Sequence, residues 1–385
     1  MIESKLFLDE CKKNAFTLFT GTPCSYLKPF INTVIDDPEL KFVGTTNEGD
    51  AVALATGAKL GGINSIVMFQ NSGLGNTVNP LTSLSYIIKV PFLGIVTLRG
   101  EPNGAKDEPQ HELMGQITIS LLEIMKIPWA YFPTEKREIG TSFANALKSM
   151  KESSLPFFFV MRKDSVDKYE LKNKSSDRII SHYQTTVKKS LTGNFQMMRS
   201  DALKIITKSF SKSDVFIATT GKTGRELFEI EDQPNQFYMV GSMGCASAIG
   251  VGLACTKFSH KICIIDGDGA LLMRMGNMAL VGVQNNSNLV HILLDNGVHD
   301  STGGQKSFSE VIDFCEIATH CGYKKVYQVD NLDGLSSALH EITSDHQLSF
   351  LRVFIKAGSP AELGRPSVKP QDVAKRFENF VKNNI

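Results

Sequence analysis

The sequence predicts an α/β protein built as two doubly wound, mostly parallel-sheet domains. Apolar runs of strand length alternate with amphipathic helical stretches on both sides of one polar segment, the pattern that buried parallel strands and their crossover helices produce. A chain of 385 residues has room for two domains of ordinary size, and its 42% apolar content can fill a core in each.

The first domain is predicted over residues 1–165. Its strand runs are AFTLFT, KFVGTT, SIVMF and VPFLGIVTL, with helices expected from Ser25, from Asn47 and after Gly75. Residues 166–195 change character: Lys, Ser and Asp dominate and apolar periodicity fades, which suits a linker over the surface. The second domain is predicted over 196–385, with strand runs DVFIAT, FYMV, KICIID, LVHILLD, KKVYQV and FLRVFI. In the tail, Val373, Phe377, Phe380 and Val381 recur at helical spacing, the signature of an amphipathic helix that docks by one face.

The charge balance narrows the function classes. A net charge of +1 gives no global field for nucleic acid or a membrane surface, so any anion site is local. The N-terminal stretch lacks the apolar core of a secretory signal. No run reaches the roughly 18 to 20 apolar residues of a membrane span. The expectation is a cytoplasmic protein with seven cysteines, none in a CxxC pair and most of them reduced core thiols.

The densest chemical signal lies in KICIIDGDGALLMRMGNMALVGVQNNSNLVHILLDNGVHD. One strand run ends in Gly267, Asp268 and Gly269, followed by Ala270; the next ends in Asp295 and Asn296. In an open α/β sheet both clusters emerge on the rim formed by the strands' carboxyl ends. The glycines allow close backbone approach and the helix that follows offers amides to a phosphate. Asp268 supplies a carboxylate oxygen and Asn296 an amide oxygen, hard donors suited to Mg²⁺, with a turn carbonyl as a third. Two further turns are phosphate-compatible: Gly221, Lys222, Thr223 and Gly224 before a helix, and Gly241, Ser242, Met243 and Gly244. Taken singly, GDG is a common turn, Met243 could be ordinary packing and Arg225 a solvated charge. In the first half, Glu48 follows a strand and opens an Ala/Gly-rich helix; alone, it reads equally as charge complementarity at a helix N-terminus.

GDG followed after 25 residues by DN resembles the signature of thiamine-diphosphate enzymes, whose usual ending is NN. The resemblance assigns the metal to Asp268, Asn296 and the carbonyl of Val298, and the diphosphate to the turns at Gly221, Lys222, Thr223, Ser242, Gly267, Gly269 and Ala270. It makes Met243 the apolar support of the bent cofactor, and Glu48 the acid beside the aminopyrimidine ring. More narrowly, GTPCSYLKPF, NEGDAVALATGA, FQNSGLGNTVNPLTSL, RGEPNGAKDEPQH, TGKTGREL, GSMGCASAIGVGLA and LDNGVHDSTGGQ are similar, in order, to the phosphonopyruvate decarboxylase family, with sulfopyruvate decarboxylases as its sister. Cys24 departs from it, where Asp is more usual.

The family resemblance implies a pyrimidine-binding first domain, a diphosphate-binding second domain and Mg²⁺-dependent decarboxylation of 3-phosphonopyruvate to phosphonoacetaldehyde. It also implies a homo-oligomer whose cofactor lies between the first domain of one subunit and the second of another. Substrate candidates are Ser25, Asn71, Ser72, the amides of Gly73 to Asn76, Arg99 and Lys106, with His111 and His299 as proton handlers. No nucleic-acid or membrane partner is expected. Sulfopyruvate as substrate, carboligation, and a non-catalytic nucleotide-binding module are the alternative readings.

Overall fold

A computed structural model of the chain describes residues 1–172 and 184–385. The chain divides into two compact units, Met1–Ile179 and Ile180–Ile385. Residues 173–183 of the segment expected as a linker lie outside the described residues.

The first unit holds β1 (Phe16–Gly21), β2 (Lys41–Gly44), β3 (Asn64–Gln70), β4 (Leu93–Thr97), β5 (Trp129–Tyr131) and β6 (Phe157–Met161). They form one sheet in the order β2-β1-β3-β4-β6-β5, with every pair parallel. LGIVT and FFFVM are buried throughout, as strands covered on both faces must be. Phe7, from the helix Ser4–Lys13, meets Phe30, Phe132, Phe143 and Phe159 at 4.7–5.7 Å between ring centroids, closing one face. In the helix Glu48–Leu60 every residue except Glu48 and Lys59 is buried. Its small side chains let it lie close on the sheet, which leaves Glu48 at the rim. The chain leaves β1 for β2 on one side and returns to β3 on the other, so a topological switch point lies between β1 and β3.

The second unit holds β7 (Thr186–Ser190), β8 (Val215–Ala218), β9 (Gln236–Tyr238), β10 (Ile262–Gly267), β11 (Leu289–Asp295), the short β12 (Val298–His299) and β13 (Gln305–Lys306), β14 (Lys325–Val329) and β15 (Ser349–Phe354). Seven of them form a parallel sheet in the order β7-β14-β15-β11-β10-β8-β9, with its switch point between β8 and β10. β12 and β13 pair as an antiparallel hairpin beyond the rim. β7 is a strand that apolar periodicity does not announce. All five of its residues are exposed, because it pairs with β14 only at the sheet edge, where Lys188 and Lys189 keep it polar. The tail forms the helix Pro370–Lys382, burying Val373, Phe377 and Val381, with Phe377 against Phe237 at 5.7 Å. All seven cysteines are free thiols. Among the described residues no helix is long and apolar enough to cross a membrane.

Candidate active site

Glu48 sits at the switch point of the first unit, in the first position of its helix, where Asn47 caps the turn by accepting from the Gly49 amide at 2.8 Å. One carboxylate oxygen accepts from Thr22 Oγ1 at 2.9 Å, just past β1, and the other from Asn76 Nδ2 at 2.8 Å, beyond β3. Gly73 presses against it from the third side: a Cβ there would lie 2.3 Å from Glu48 Cδ, so only glycine admits the carboxylate. Three loops from three strands therefore fix one half-buried acid. Sequence reasoning offered the Gly73 to Asn76 amides to a substrate and missed the Asn76 side chain and Thr22 as partners of Glu48. Their position in the GTPC and NSGLGN turns was the available signal.

The neighbouring loop gathers most of the substrate candidates. Arg99 Nε donates to Asp107 Oδ2 at 2.7 Å, a second donor of its fork reaches Asp107 Oδ1, and Nη1 donates to Ser25 Oγ at 3.0 Å. Its guanidinium lies 4.7 Å from the Tyr26 ring centroid. The ion pair raises the Arg99 pKa and holds the Asp107 carboxyl well below the usual range. Asp107 thus already neutralises Arg99. Lys106 is exposed and, among the described residues, makes no hydrogen bond or ion pair. Asn71 is buried and engaged: its amide donates to Arg99 O at 2.9 Å and Thr118 Oγ1 at 3.0 Å and accepts from Arg99 N at 3.3 Å. It shapes the Arg99 loop. Ser72 is exposed and accepts from Gln70 Nε2 at 2.6 Å. His111 is 7% exposed, yet its Nδ1 has no hydrogen-bond partner among the described residues. A buried ring nitrogen without a partner is costly unless a ligand or water meets it.

In the second unit Gly267 stands opposite Leu294 across β10 and β11, so Asp268 and Asp295 leave the sheet side by side and Asn296 follows. Asp268 is buried and accepts from Ser307 Oγ. Burial raises its pKa, repulsion from Asp295 adds to the rise, and the Ser307 bond opposes it. Asp295, where the signature has Asn, pairs in the interior with Arg352 of β15 at 2.6 Å and accepts from Ser309 Oγ at 2.8 Å. Asn296 Nδ2 donates to Asp300 Oδ2 at 2.6 Å, and its Oδ1 accepts from Val298 N at 3.2 Å. The His299 ring lies over Gly269, since a Cβ there would be 2.4 Å from Cε1, and the Met243 tip borders the same point at 3.5 Å. The GDG and GSMG turns and the β12 hairpin therefore converge.

These residues fit a diphosphate and a hard cation. One carboxylate and one amide oxygen leave the remaining positions of an octahedral ion to a carbonyl, phosphates and water. Gly221 caps the helix Lys222–Ile230 at φ 99°, and a Cβ there would meet only Ser301 Oγ, at 4.0 Å; one on Gly267 would meet nothing within 4 Å. Both backbones are open to a ligand. A cavity of about 390 Å³ adjoins Thr220, Gly221, Gly224 and Arg225, and Arg225 Nε donates to Gly364 O at 2.6 Å, holding the chain that borders it.

Residues 219–353 match the family described as thiamine pyrophosphate enzyme, C-terminal TPP binding domain. Phosphonopyruvate decarboxylase of Streptomyces viridochromogenes is 41% identical over 365 residues, covering 95% of this chain and 91% of that one. Sulfopyruvate decarboxylase of Methanosarcina acetivorans is 28% identical over 95% of this chain and 94% of that one. The crystal structure of benzoylformate decarboxylase from Polynucleobacter necessarius shares the fold, with a TM-score of 0.72 at 13% identity over 94% of this chain and all of that one.

Proposed function

The chain belongs to the phosphonopyruvate decarboxylase family of thiamine-diphosphate enzymes, and from that premise we propose that it decarboxylates 3-phosphonopyruvate to phosphonoacetaldehyde and carbon dioxide. The observation that carries the reading is Glu48, a carboxylate held on both oxygens at the switch point of its sheet. Thiamine diphosphate, when bound, supplies the electron sink for cleavage of the bond to the carboxylate. Glu48 holds a proton at the pyrimidine nitrogen. Asp268, Asn296 and the Val298 carbonyl hold Mg²⁺; the turns at Gly221, Lys222 and Thr223, at Ser242, and at Gly267, Gly269 and Ala270 receive the diphosphate. Met243 supports the cofactor between its rings.

The first unit acts as the pyrimidine-binding domain and the second, which takes β7 from the segment expected as a linker, as the diphosphate-binding domain, in a homo-oligomer that completes its sites between subunits. Lys106, a cation with no partner among the described residues, and the Arg99 fork face the distal phosphonate together with Ser25 and Ser72. Asn71 serves them by fixing the Arg99 backbone. His111 delivers a proton to the carbon that loses carbon dioxide, and His299 borders the substrate over Gly269. Carbon dioxide release from phosphonopyruvate, sulfopyruvate and pyruvate tests the proposal, with aldehyde product measured in parallel. Phosphonopyruvate should lead both by at least about tenfold in kcat/KM, the effect of one charge-assisted contact. Equal rates on all three would overturn it, and carbon dioxide without free aldehyde would indicate carboligation.

A further inference from the structure

Behind Asn296 lies a buried chain of charges that no step above uses. Arg199, 5% exposed, places Nη1 2.7 Å from Glu226 Oε1 and Nη2 2.5 Å from Asp300 Oδ2. Asp300 also accepts from the Gly358 amide at 3.1 Å, and its Oδ2 receives the Asn296 Nδ2 donor. The residues come from the helix Arg199–Ser209, the helix Lys222–Ile230, the β12 hairpin and the chain beyond β15. Three other segments therefore converge on the Arg199 side chain.

We infer that Asp300, oriented by Arg199, is a positioning residue that sets which end of the Asn296 amide meets the metal; the inference rests on the Mg²⁺ reading above. An asparagine can present either oxygen or NH₂ to a cation, and only the oxygen binds it. A carboxylate is acceptor-only, so Asp300 admits only the NH₂ end of Asn296 and turns Oδ1 the other way. Arg199 is donor-only. It fixes Asp300 in place through a charge-assisted pair.

This geometry separates two substitutions of Asp300. Arg199 Nη2 and Asn296 Nδ2 meet the same oxygen, Oδ2, so Asp300→Asn, its amide oxygen held in that position by the donor-only Arg199, still offers Asn296 an acceptor. Asp300→Ala removes the acceptor and leaves only the Val298 amide, at 3.2 Å, to orient Asn296 Oδ1.

The test is calorimetric titration of Mg²⁺ in the presence of thiamine diphosphate, using the full chain, with thermal melts of the ligand-free proteins as the folding control. Asp300→Ala should weaken Mg²⁺ by about 10- to 100-fold, the usual range for a lost outer-shell partner. Saturating Mg²⁺ should recover most of kcat. Asp300→Asn, which keeps an oxygen facing Asn296, should bind Mg²⁺ close to wild type, a rescue that a role of Asp300 through its charge alone would not give. Wild-type affinity in Asp300→Ala, or Asp300→Asn no better than Asp300→Ala, overturns the inference. If Asp300→Ala does not fold, Asp300→Asn carries the test, and weak binding by it overturns the inference. A wild type that binds thiamine diphosphate with no response to Mg²⁺ removes the metal reading itself.

Discussion

Glu48 takes both its hydrogen bonds from neutral donors, Thr22 and Asn76, and no cation among the described residues pairs with it. That choice leaves the carboxyl uncommitted to an ion pair, so that a ligand nitrogen can meet it. Glu48→Gln retains the shape and the Gly73 contact while removing the exchangeable acid. We expect cofactor binding to persist and hydrogen-deuterium exchange at C2 of bound thiamine diphosphate to slow by about 10²- to 10⁴-fold. Wild-type exchange in this variant would remove Glu48 from the role. Asp268, Asn296 and Glu48 were legible because each ends or follows a strand run within a compact motif. Thr22, Asn76, Asp107, Asp300 and Arg199 were not, because their partners lie 26, 28, 8, 101 and 101 residues away or belong to a network, and no local spacing encodes such pairings.

Elements carry the site by where they stop, and the alternation of apolar runs marked most of those stops. What it missed has a physical reason. β7 is exposed throughout and is a strand only through β14, so its own residues show no burial pattern. Asp295 departs from the usual signature, and Arg352 on the adjacent β15 explains it: the two form a buried pair that could not be inferred from a strand 57 residues later. The tail helix was legible from its apolar stripe, but its anchor was not. Arg376 donates Nη1 to Asp232 Oδ2 at 2.7 Å and its second fork nitrogen reaches Oδ1. The Arg376 bond lowers the Asp232 pKa, with Tyr238 contributing. A carboxyl with a depressed folded pKa stabilises fully above its unfolded value of about 3.9, and that contribution is lost as pH falls through the folded one. The helix Pro370–Lys382 should therefore keep its amide protection down to about pH 4 and lose part of it below. Hydrogen exchange of this helix at stepped pH checks the prediction. Asp232→Asn should exchange faster than wild type at neutral pH and show little further change on acidification; a helix with the same pH response in both proteins would exclude the pair as its anchor.

At the scale of the molecule, the acid and the metal ligands belong to different compact units, Glu48 to the first and Asp268 with Asn296 to the second. If one cofactor uses both, and the family arrangement joins the first domain of one subunit to the second of another, then each active site draws on two chains. Two individually inactive variants should then repair each other. In a mixed dimer of Glu48→Gln and Asp268→Ala chains, one site combines the intact Glu48 of one chain with the intact Asp268 of the other, while the second site carries both lesions. Random pairing makes half the dimers mixed and half the sites in each of them intact, so about a quarter of wild-type activity should return. Co-expression with two different affinity tags, followed by sequential purification on both, isolates the mixed species, in which about half of wild-type activity per dimer is expected. Recovery at that level requires subunits to share sites, because a chain that built its site alone would leave both halves of the mixed dimer inactive. Doubly tagged protein that remains as inactive as the two parents would place Glu48 and Asp268 in service of one site within a single chain.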